Sequence, residues 1–230
     1  MHVSSEPPFL CFGTPVLIIS SLNEDGSTNL APMSSAFWLG WRGMLGLATA
    51  SKTAQHLRRT RQAVLNLPSE SQVAAMDRLA LTTGVDPVPS YKRARGYRHV
   101  SDKFVAAGLT PQASMSVRPQ RVAECPVQLE AVIEAEHAID ADDASLQGRI
   151  STFEARICRV HIEPGLLAPG ERDRIDPDAW RPLVMSFQKF FGLGAGQLAP
   201  SRLSGIPEAG YRSADVDRAA REAAQRDIGV

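Results

Sequence analysis

Residues 49–53 carry side chains that could bind a phosphate group. They read Thr-Ala-Ser-Lys-Thr and stand where the hydropathy pattern predicts the start of a helix. Hydroxyl groups, an ammonium group and the free backbone N–H groups of a helix start together suit an anionic ligand. Lys52 is also one of only four lysines among the 25 basic residues. The same pattern fits an ordinary helix cap with a solvated lysine, so both interpretations stay open.

A second segment, residues 29–37, has the composition of a ligand-contacting strand. It reads Asn-Leu-Ala-Pro-Met-Ser-Ser-Ala-Phe, with small side chains and a proline inside a strand pattern. Proline in a strand predicts an edge or a break in the hydrogen-bonded ladder. Such a break frees backbone N–H and C=O groups to meet a ligand. The alternative is an irregular edge strand with no ligand.

Several other chemistries lack their motifs. The five histidines are scattered, and no His-Glu-x-x-His motif is present. The glycines at residues 192–196 lack dinucleotide-loop spacing, and Lys52 lacks the preceding glycines of a P-loop. Cys11, Cys125 and Cys158 include no Cys-x-x-Cys pair. We therefore expect reduced thiols and no metal site.

Composition narrows the function classes further. The 230 residues are 43% hydrophobic and 22% charged, which is typical of a globular protein. Basic and acidic residues balance at 25 each, which argues against a nucleic-acid binder. No apolar run reaches the roughly 18 residues of a membrane span, and no signal-peptide pattern is present. We expect a cytoplasmic protein that binds neither nucleic acid nor membrane.

The elements that must position the two segments are mainly strands, with peripheral helices. Short apolar or alternating runs bounded by turn residues predict strands. These runs lie at residues 15–22, 29–37, 43–49, 62–68, 127–134 and 151–162. The run at 127–134 has one largely polar face that includes Gln128 and Glu130. Helices are predicted from a cap at Ser51 or Thr53, over residues 69–81 and 101–107, and after residue 213.

The order of these segments resembles one known family. A strand, an Asp-Gly turn, Asn-x-Ala-Pro-x-Ser, a glycine-bearing strand, Ser-Lys-Thr and Val-Leu-Asn-Leu-Pro follow one another between residues 15 and 68. Asp-Lys-Phe at 102–104, Ala-Gly-Leu-Thr-Pro at 107–111 and Glu-Cys-Pro-Val-Gln-Leu-Glu at 124–130 add to the pattern. Over roughly residues 13–162 the chain resembles the flavin reductase-like, FMN-binding split-barrel family, including flavoredoxin-type proteins.

The resemblance implies a split β-barrel that forms a homodimer and binds FMN near the subunit interface. It implies that the first motif lines the flavin ring and ribityl chain, and that the second holds the phosphate. The residues assigned to the ring and ribityl chain are Asn29, Ala31, Pro32, Met33, Ser34 and Ser35. Those of the phosphate segment are Thr49, Ala50, Ser51, Lys52 and Thr53.

The activity implied by the resemblance is NAD(P)H-dependent flavin oxidoreduction, with hydride passing from a nicotinamide to flavin. Because the hydride chemistry belongs to the cofactor, no catalytic acid or base is assigned. The Gly-Asp-His triplet of many flavin reductases is missing at residues 147–151, and His56 stands where the family often has asparagine. A flavin-binding electron carrier or sensor without nicotinamide turnover is therefore an alternative. A pyridoxamine-phosphate oxidase type of barrel is a third, disfavoured by the Ser-Lys-Thr and Asn-x-Ala-Pro motifs.

Two further regions have several interpretations. Residues 82–99 predict a long surface loop rich in basic side chains. This loop could cover bound flavin, receive the phosphates of a second nucleotide or remain solvated. The balanced charge of the chain disfavours nucleic-acid binding by the loop. Residues 1–165 are predicted to form the FMN-binding domain. Residues 166–230 are predicted to form an extension that packs on the barrel or on a dimer partner.

Overall fold

The structure is a computed structural model that describes residues 2–194, 196–199 and 201–228. The strands are β1 (Thr14–Pro15), β2 (Leu17–Leu22), β3 (Thr28–Met33), β4 (Ala36–Leu39), β5 (Arg42–Ala48), β6 (Gln62–Leu67), β7 (Thr82–Thr83), β8 (Arg98–His99), β9 (Pro111–Gln112), β10 (Arg121–Val122), β11 (Val127–Ala138), β12 (Ile150–Ile162), β13 (Val184–Ser186) and β14 (Lys189–Phe191). The α-helices are α1 (Lys52–Thr60), α2 (Val73–Leu79), α3 (Ser90–Arg93), α4 (Lys103–Ala107) and α5 (Ala214–Ile228). Short 3-10 helices span Glu70–Gln72, Pro164–Leu166, Arg202–Gly205 and Glu208–Tyr211. None of the helices described is long and apolar enough to cross a membrane.

Seven strands form one antiparallel sheet in the order β3-β2-β6-β11-β12-β5-β4. Only Ser34 and Ser35 join its two edge strands, β3 and β4. Six strand spacings of about 4.8 Å would separate the edges of a flat sheet by roughly 29 Å. A link this short spans roughly 10 Å at most, so the sheet must be rolled. The prediction of a mainly β protein with helices is confirmed, but the sheet is not closed into a barrel.

Strand β2 is buried on both faces, which explains why four of its six residues are large and apolar and why no charged residue lies in it. Leu17 and Ile19 pack into a first core with Phe153, which the rolled sheet and α1 enclose. Ile18 points to the opposite side and packs into a second core, where α2 and α4 contribute residues such as Phe104. The helices therefore cover the sheet on both sides, and α1 is held with its start at the end of β5.

The chain beyond residue 165 packs against the rest of the molecule. β13 pairs with β1 and β14, and Leu183 is buried in the second core. Helix α5 lies on β12, where Arg156 pairs with Glu222 at 3.2 Å. Asp215 at the start of α5 accepts a hydrogen bond from Arg42 Nε at 2.9 Å. The domain boundary at residue 165 stays a prediction.

The structure corrects two predicted elements. The predicted strand at 29–37 is interrupted, because β3 ends at Met33 and β4 begins at Ala36. The loop predicted at 82–99 contains α3, and its ends pair as the parallel strands β7 and β8. Arg98 N also donates to Leu81 O at 3.0 Å, which closes the segment. The paired strands are two residues long, too short to show a periodic pattern.

Candidate functional site

An open cleft of about 340 Å³ lies where the two predicted segments meet. Clefts of roughly 300–1,000 Å³ are usual for small-molecule ligands. The predicted site residues that line the cleft are Asn29, Ala31, Pro32, Met33, Ser51, Lys52 and Thr53. The fold thus brings together side chains from the edge strand β3 and from the start of α1. Strands β4 and β5 lie between these two elements in the sequence.

Helix α1 begins at the cleft because Ser51 caps it. The Ser51 hydroxyl accepts a hydrogen bond from Ala54 N at 3.1 Å, and its backbone is extended. The N–H groups of Lys52 and Thr53 occupy the first helical positions, which have no partner inside a helix. No acidic residue lies in the first turn of α1, so nothing there neutralises the positive end of the helix dipole, which lies at the cleft.

Among the described residues, the Lys52 side chain has one ionic partner. Its Nζ lies 3.2 Å from Oε1 of Glu24, and the Glu24 side chain is 74% exposed. An exposed carboxylate in this position competes weakly with a stronger anion, because solvent screens the pair. Lys52 is therefore available to a phosphate.

The opposite wall of the cleft is formed by β3 and the residues after β7. Strand β3 is an edge strand that pairs only with β2, so half of its backbone groups face away from the sheet. Gly84 lies against Asn29, since a Cβ atom at Gly84 would be 2.9 Å from Asn29 Oδ1 and 3.6 Å from Lys52 Cγ. A side chain at residue 84 would thus displace Asn29 or narrow the cleft.

Four predicted site residues do not line the cleft. Ser34 and Ser35 form the link between β3 and β4, where Ser35 O accepts a hydrogen bond from Gly46 N at 2.8 Å. The Thr49 hydroxyl donates to backbone carbonyls of the turn before β12, and Ala50 is exposed. Their assignment to a ligand stays a prediction.

The basic segment contributes several side chains that face the same cleft. The ones that line it are Tyr91, Lys92, Arg95 and Tyr97. Lys92 Nζ donates to Thr83 Oγ1 at 3.2 Å and lies 5.7 Å from the centre of the Tyr97 ring. Partial burial lowers the pKa of Lys92. Arg93 and Arg98, by contrast, are not among the lining residues.

Sequence reasoning missed Thr82, Thr83 and Lys103, which also line the cleft. Lys103 is only 3% exposed, and its Nζ donates to Leu30 O at 2.7 Å. Burial, together with the charge of Lys92, lowers the pKa of Lys103 to about 8. The Asp-Lys-Phe motif at 102–104 was the available signal, but a sequence does not show that its lysine points inward.

A second cavity of about 340 Å³ lies away from these segments and is lined by Arg121, Gln128 and His161, among others. Polar side chains that line this cavity form hydrogen bonds with other protein side chains. Arg121 Nη1 donates to Gln128 Oε1 at 2.7 Å, and His161 Nε2 lies 2.7 Å from Oε1 of the buried Glu130. These groups have a structural role, which leaves the first cleft as the candidate site.

The two buried cysteines are poorly suited to act as nucleophiles. Burial raises the pKa of Cys125, and that of Cys158 rises to about 11, so both thiols stay protonated near neutral pH. No cluster of His, Cys, Asp and Glu residues that could hold a metal ion is found among the residues searched.

Comparison with known proteins identifies the family. Residues 2–194 match the model of the flavin reductase-like domain. The chain belongs to this family. A relative from Bacillus subtilis (strain 168), the uncharacterized protein YdfE, is 32% identical over 189 residues, covering 82% of this chain and 88% of the relative.

Solved structures of similar fold include a flavoredoxin, a monooxygenase component and a nitroreductase. Flavoredoxin of Desulfovibrio vulgaris (Miyazaki F) has a TM-score of 0.69 at 18% identity, covering 89% of this chain and 99% of the other. Nitrilotriacetate monooxygenase component B from Bacillus cereus has a TM-score of 0.65 at 19% identity, covering 82% of this chain and 88% of the other. The 2-nitrobenzoate 2-nitroreductase NbaA of Pseudomonas fluorescens has a TM-score of 0.62 at 19% identity, covering 85% of this chain and 88% of the other. Membership of this flavin reductase-like family indicates a flavin-binding oxidoreductase.

The residues of the cleft fit a flavin. A cation, hydroxyl groups and free helix N–H groups at the start of α1 suit a phosphate. The half-buried Ala31, Pro32 and Met33 offer apolar surface and edge-strand backbone to a flat ring. Gly84 keeps open the space between these two parts.

Proposed function

We propose that this flavin reductase-like protein binds FMN in the cleft and transfers hydride from NAD(P)H to the flavin. The observation that carries the proposal is that one cleft contains both Lys52 at the start of α1 and the β3 residues 31–33. A cation at one end and apolar edge-strand backbone at the other match the two ends of FMN.

The chain's own residues would bind and orient the cofactor. Lys52, with the hydroxyls of Ser51 and Thr53 and the first N–H groups of α1, would hold the phosphate. Asn29 and the residues 31–33 would hold the ribityl chain and ring. When bound, FMN supplies the hydride-accepting chemistry. We assign no acid or base, and the residues act by positioning and by exclusion of water.

We also propose that the rolled sheet is the split barrel of this family, and that two copies associate. Alternate positions Phe37 and Leu39 on the edge strand β4 are 54% and 66% exposed, and Phe12 is 76% exposed. Exposed apolar side chains of this size favour burial against a second copy. A cytoplasmic location stays a prediction.

A flavin-binding electron carrier or sensor without nicotinamide turnover is the second candidate. Two observations favour it: similarity to a flavoredoxin, and Gln-Gly-Arg-Ile-Ser at residues 147–151 in place of Gly-Asp-His. The two candidates share the FMN site and differ only in whether a nicotinamide reacts there.

Two measurements on the purified protein test these proposals. FMN titrated into flavin-free protein should bind stoichiometrically, with quenching of flavin fluorescence. Oxidation of NADH and of NADPH should then be followed with FMN present. Turnover with either nucleotide supports the reductase, and FMN binding without turnover supports the carrier or sensor. Lack of FMN binding would contradict both.

A further inference from the structure

Three of the chain's four lysines line one cleft, although charges balance over the whole sequence. They are Lys52, Lys92 and Lys103, and Arg95 joins them. The lining residues include no aspartate or glutamate. Clustered like charges repel one another, so this arrangement favours an anionic ligand.

The lysines form two groups in the cleft. Lys52 lies at the start of α1 and pairs with Glu24. Lys92 and Lys103 lie on α3 and α4, two helices that both contribute side chains to the cleft. The segment from Thr83 to Gly84 connects the groups: Thr83 accepts from Lys92, and Gly84 lies against Lys52.

Lys103 has more donors than the protein satisfies. An ammonium group has three N–H donors. Within the described residues its one hydrogen-bond acceptor is Leu30 O, at 2.7 Å. The neighbouring carboxylate of Asp102 accepts instead from Val105 N at 3.0 Å, where it caps α4. A 3%-exposed cation in a cleft that is lined by other cations and by no carboxylate is costly unless an anion binds there.

We propose that Lys92, Lys103 and Thr83 form a second phosphate subsite next to the Lys52 site. FMN carries a single phosphate, which the Lys52 site would hold. The second subsite would therefore take a phosphoryl group of a dinucleotide, belonging either to a flavin or to a nicotinamide. This inference rests on the proposed function for the identity of the ligand, but not for the presence of the anion subsite.

The test compares Lys92→Met and Lys103→Met with Lys189→Met. Methionine keeps much of the side-chain length and removes the charge. Lys189 is the matched control, because it is the remaining lysine and is exposed in β14. Calorimetric titrations use inorganic pyrophosphate, riboflavin, FMN, FAD, NAD⁺ and NADP⁺. Folding of each variant is checked by thermal unfolding.

We expect both cleft variants to bind pyrophosphate and one class of dinucleotide at least tenfold more weakly, and riboflavin within twofold of wild type. A selective loss of FAD identifies a flavin dinucleotide, and a selective loss of NAD⁺ or NADP⁺ identifies a nicotinamide dinucleotide. Lys103→Arg should retain binding. If Lys103→Met does not fold, Lys92→Met alone decides the result.

Unchanged affinity for pyrophosphate and all dinucleotides would overturn the subsite. An equal loss of affinity for riboflavin would also overturn the subsite, because it would show that the lysines only support the fold of β3. If wild-type protein bound neither FMN nor riboflavin, the proposed function would fail. The pyrophosphate titrations would still decide whether the lysines bind phosphate.

Discussion

Lys52 and Glu24 form an ion pair at the start of α1, with 3.2 Å between Nζ and Oε1. The carboxylate is largely solvent-exposed, whereas the ammonium lies at the start of α1. In the absence of a ligand, Glu24 therefore provides the countercharge that a phosphate would replace. The assignment of Lys52 to a phosphate can therefore be tested by substituting either residue of the pair.

Lys52→Ala should weaken FMN binding by about 1.5–3 kcal/mol, because a charge-assisted hydrogen bond is lost. Riboflavin, which lacks the phosphate, should bind as it does to wild type. Glu24→Gln is the matched control and should leave FMN binding unchanged or slightly tighter. Fluorescence titration gives all these affinities. Equal losses for FMN and riboflavin in Lys52→Ala would remove the assignment.

The basic segment offers a matched pair of arginines. Arg95 lines the cleft and Arg93 does not. Arg95→Ala should raise the Kd of FMN or the KM of NAD(P)H, most strongly at low ionic strength, where screening is weakest. Arg93→Ala should change neither, and folding stability should stay the same in both variants. If Arg95→Ala and wild type had the same Kd for FMN and the same KM for NAD(P)H at low salt, residues 82–99 would be only a solvated connection.

The exposed edge strand β4 predicts self-association. Sedimentation of the 24.9 kDa chain at micromolar concentration should show a species of about twice this mass. Phe37→Glu places a charge on the outward face of β4 and should shift the population to monomer. Val105→Glu, on α4, is the control, since Val105 is also exposed. A single monomeric wild-type species with FMN bound would contradict the dimer.

His56 makes stability depend on pH. Its ring is 1% exposed, Nδ1 lies 3.0 Å from Ser21 Oγ, and Nε2 is without a hydrogen-bond partner in the described structure. Burial, then the charges of Lys52 and Arg59, lower the pKa of His56 to about 4. The unfolded chain, with a pKa of about 6.5, therefore binds the proton more readily. The contribution of His56 to stability should be constant above about pH 6.5 and should fall by up to about 3 kcal/mol toward pH 4.

Urea unfolding of wild type and His56→Asn between pH 7 and 5 measures this effect. Asparagine can keep the hydrogen bond to Ser21 but does not titrate, so the variant should lose stability less steeply as the pH falls. A pH dependence equal to that of wild type would show that other groups cause it.

Glu130 should be the carboxylate on which stability depends most. It is fully buried, accepts backbone N–H groups from Met115 and Val117 at 2.8 and 3.1 Å, and contacts His161. Burial raises its pKa, but these hydrogen bonds outweigh it and leave the pKa lowered. Glu130→Gln should destabilise the fold by about 3 kcal/mol in urea unfolding. The exposed Glu171→Gln should have no measurable effect; a similar result for both would contradict the prediction.

Much of this molecule could be predicted from local sequence. The start of α1 follows from Ser51, whose side chain satisfies a free N–H group wherever the helix lies. Likewise, Gly108 ends α4 because its φ of +63° favours glycine. The family pattern could also be predicted from the sequence, and seven of the eleven site residues assigned from its short contiguous motifs line the cleft.

Tertiary structure decided which side chains face one another. Glu130 lies on what the sequence presents as a polar face, but residues 115–117 cover that face and bury the carboxylate. Lys103 was part of a motif without a role, and only the packing of α4 against β3 directs its ammonium to Leu30 O and the cleft. The periodicity of a sequence shows which face of a single helix or strand is apolar and which is polar. It carries no information about what a segment 73 residues away places against that face.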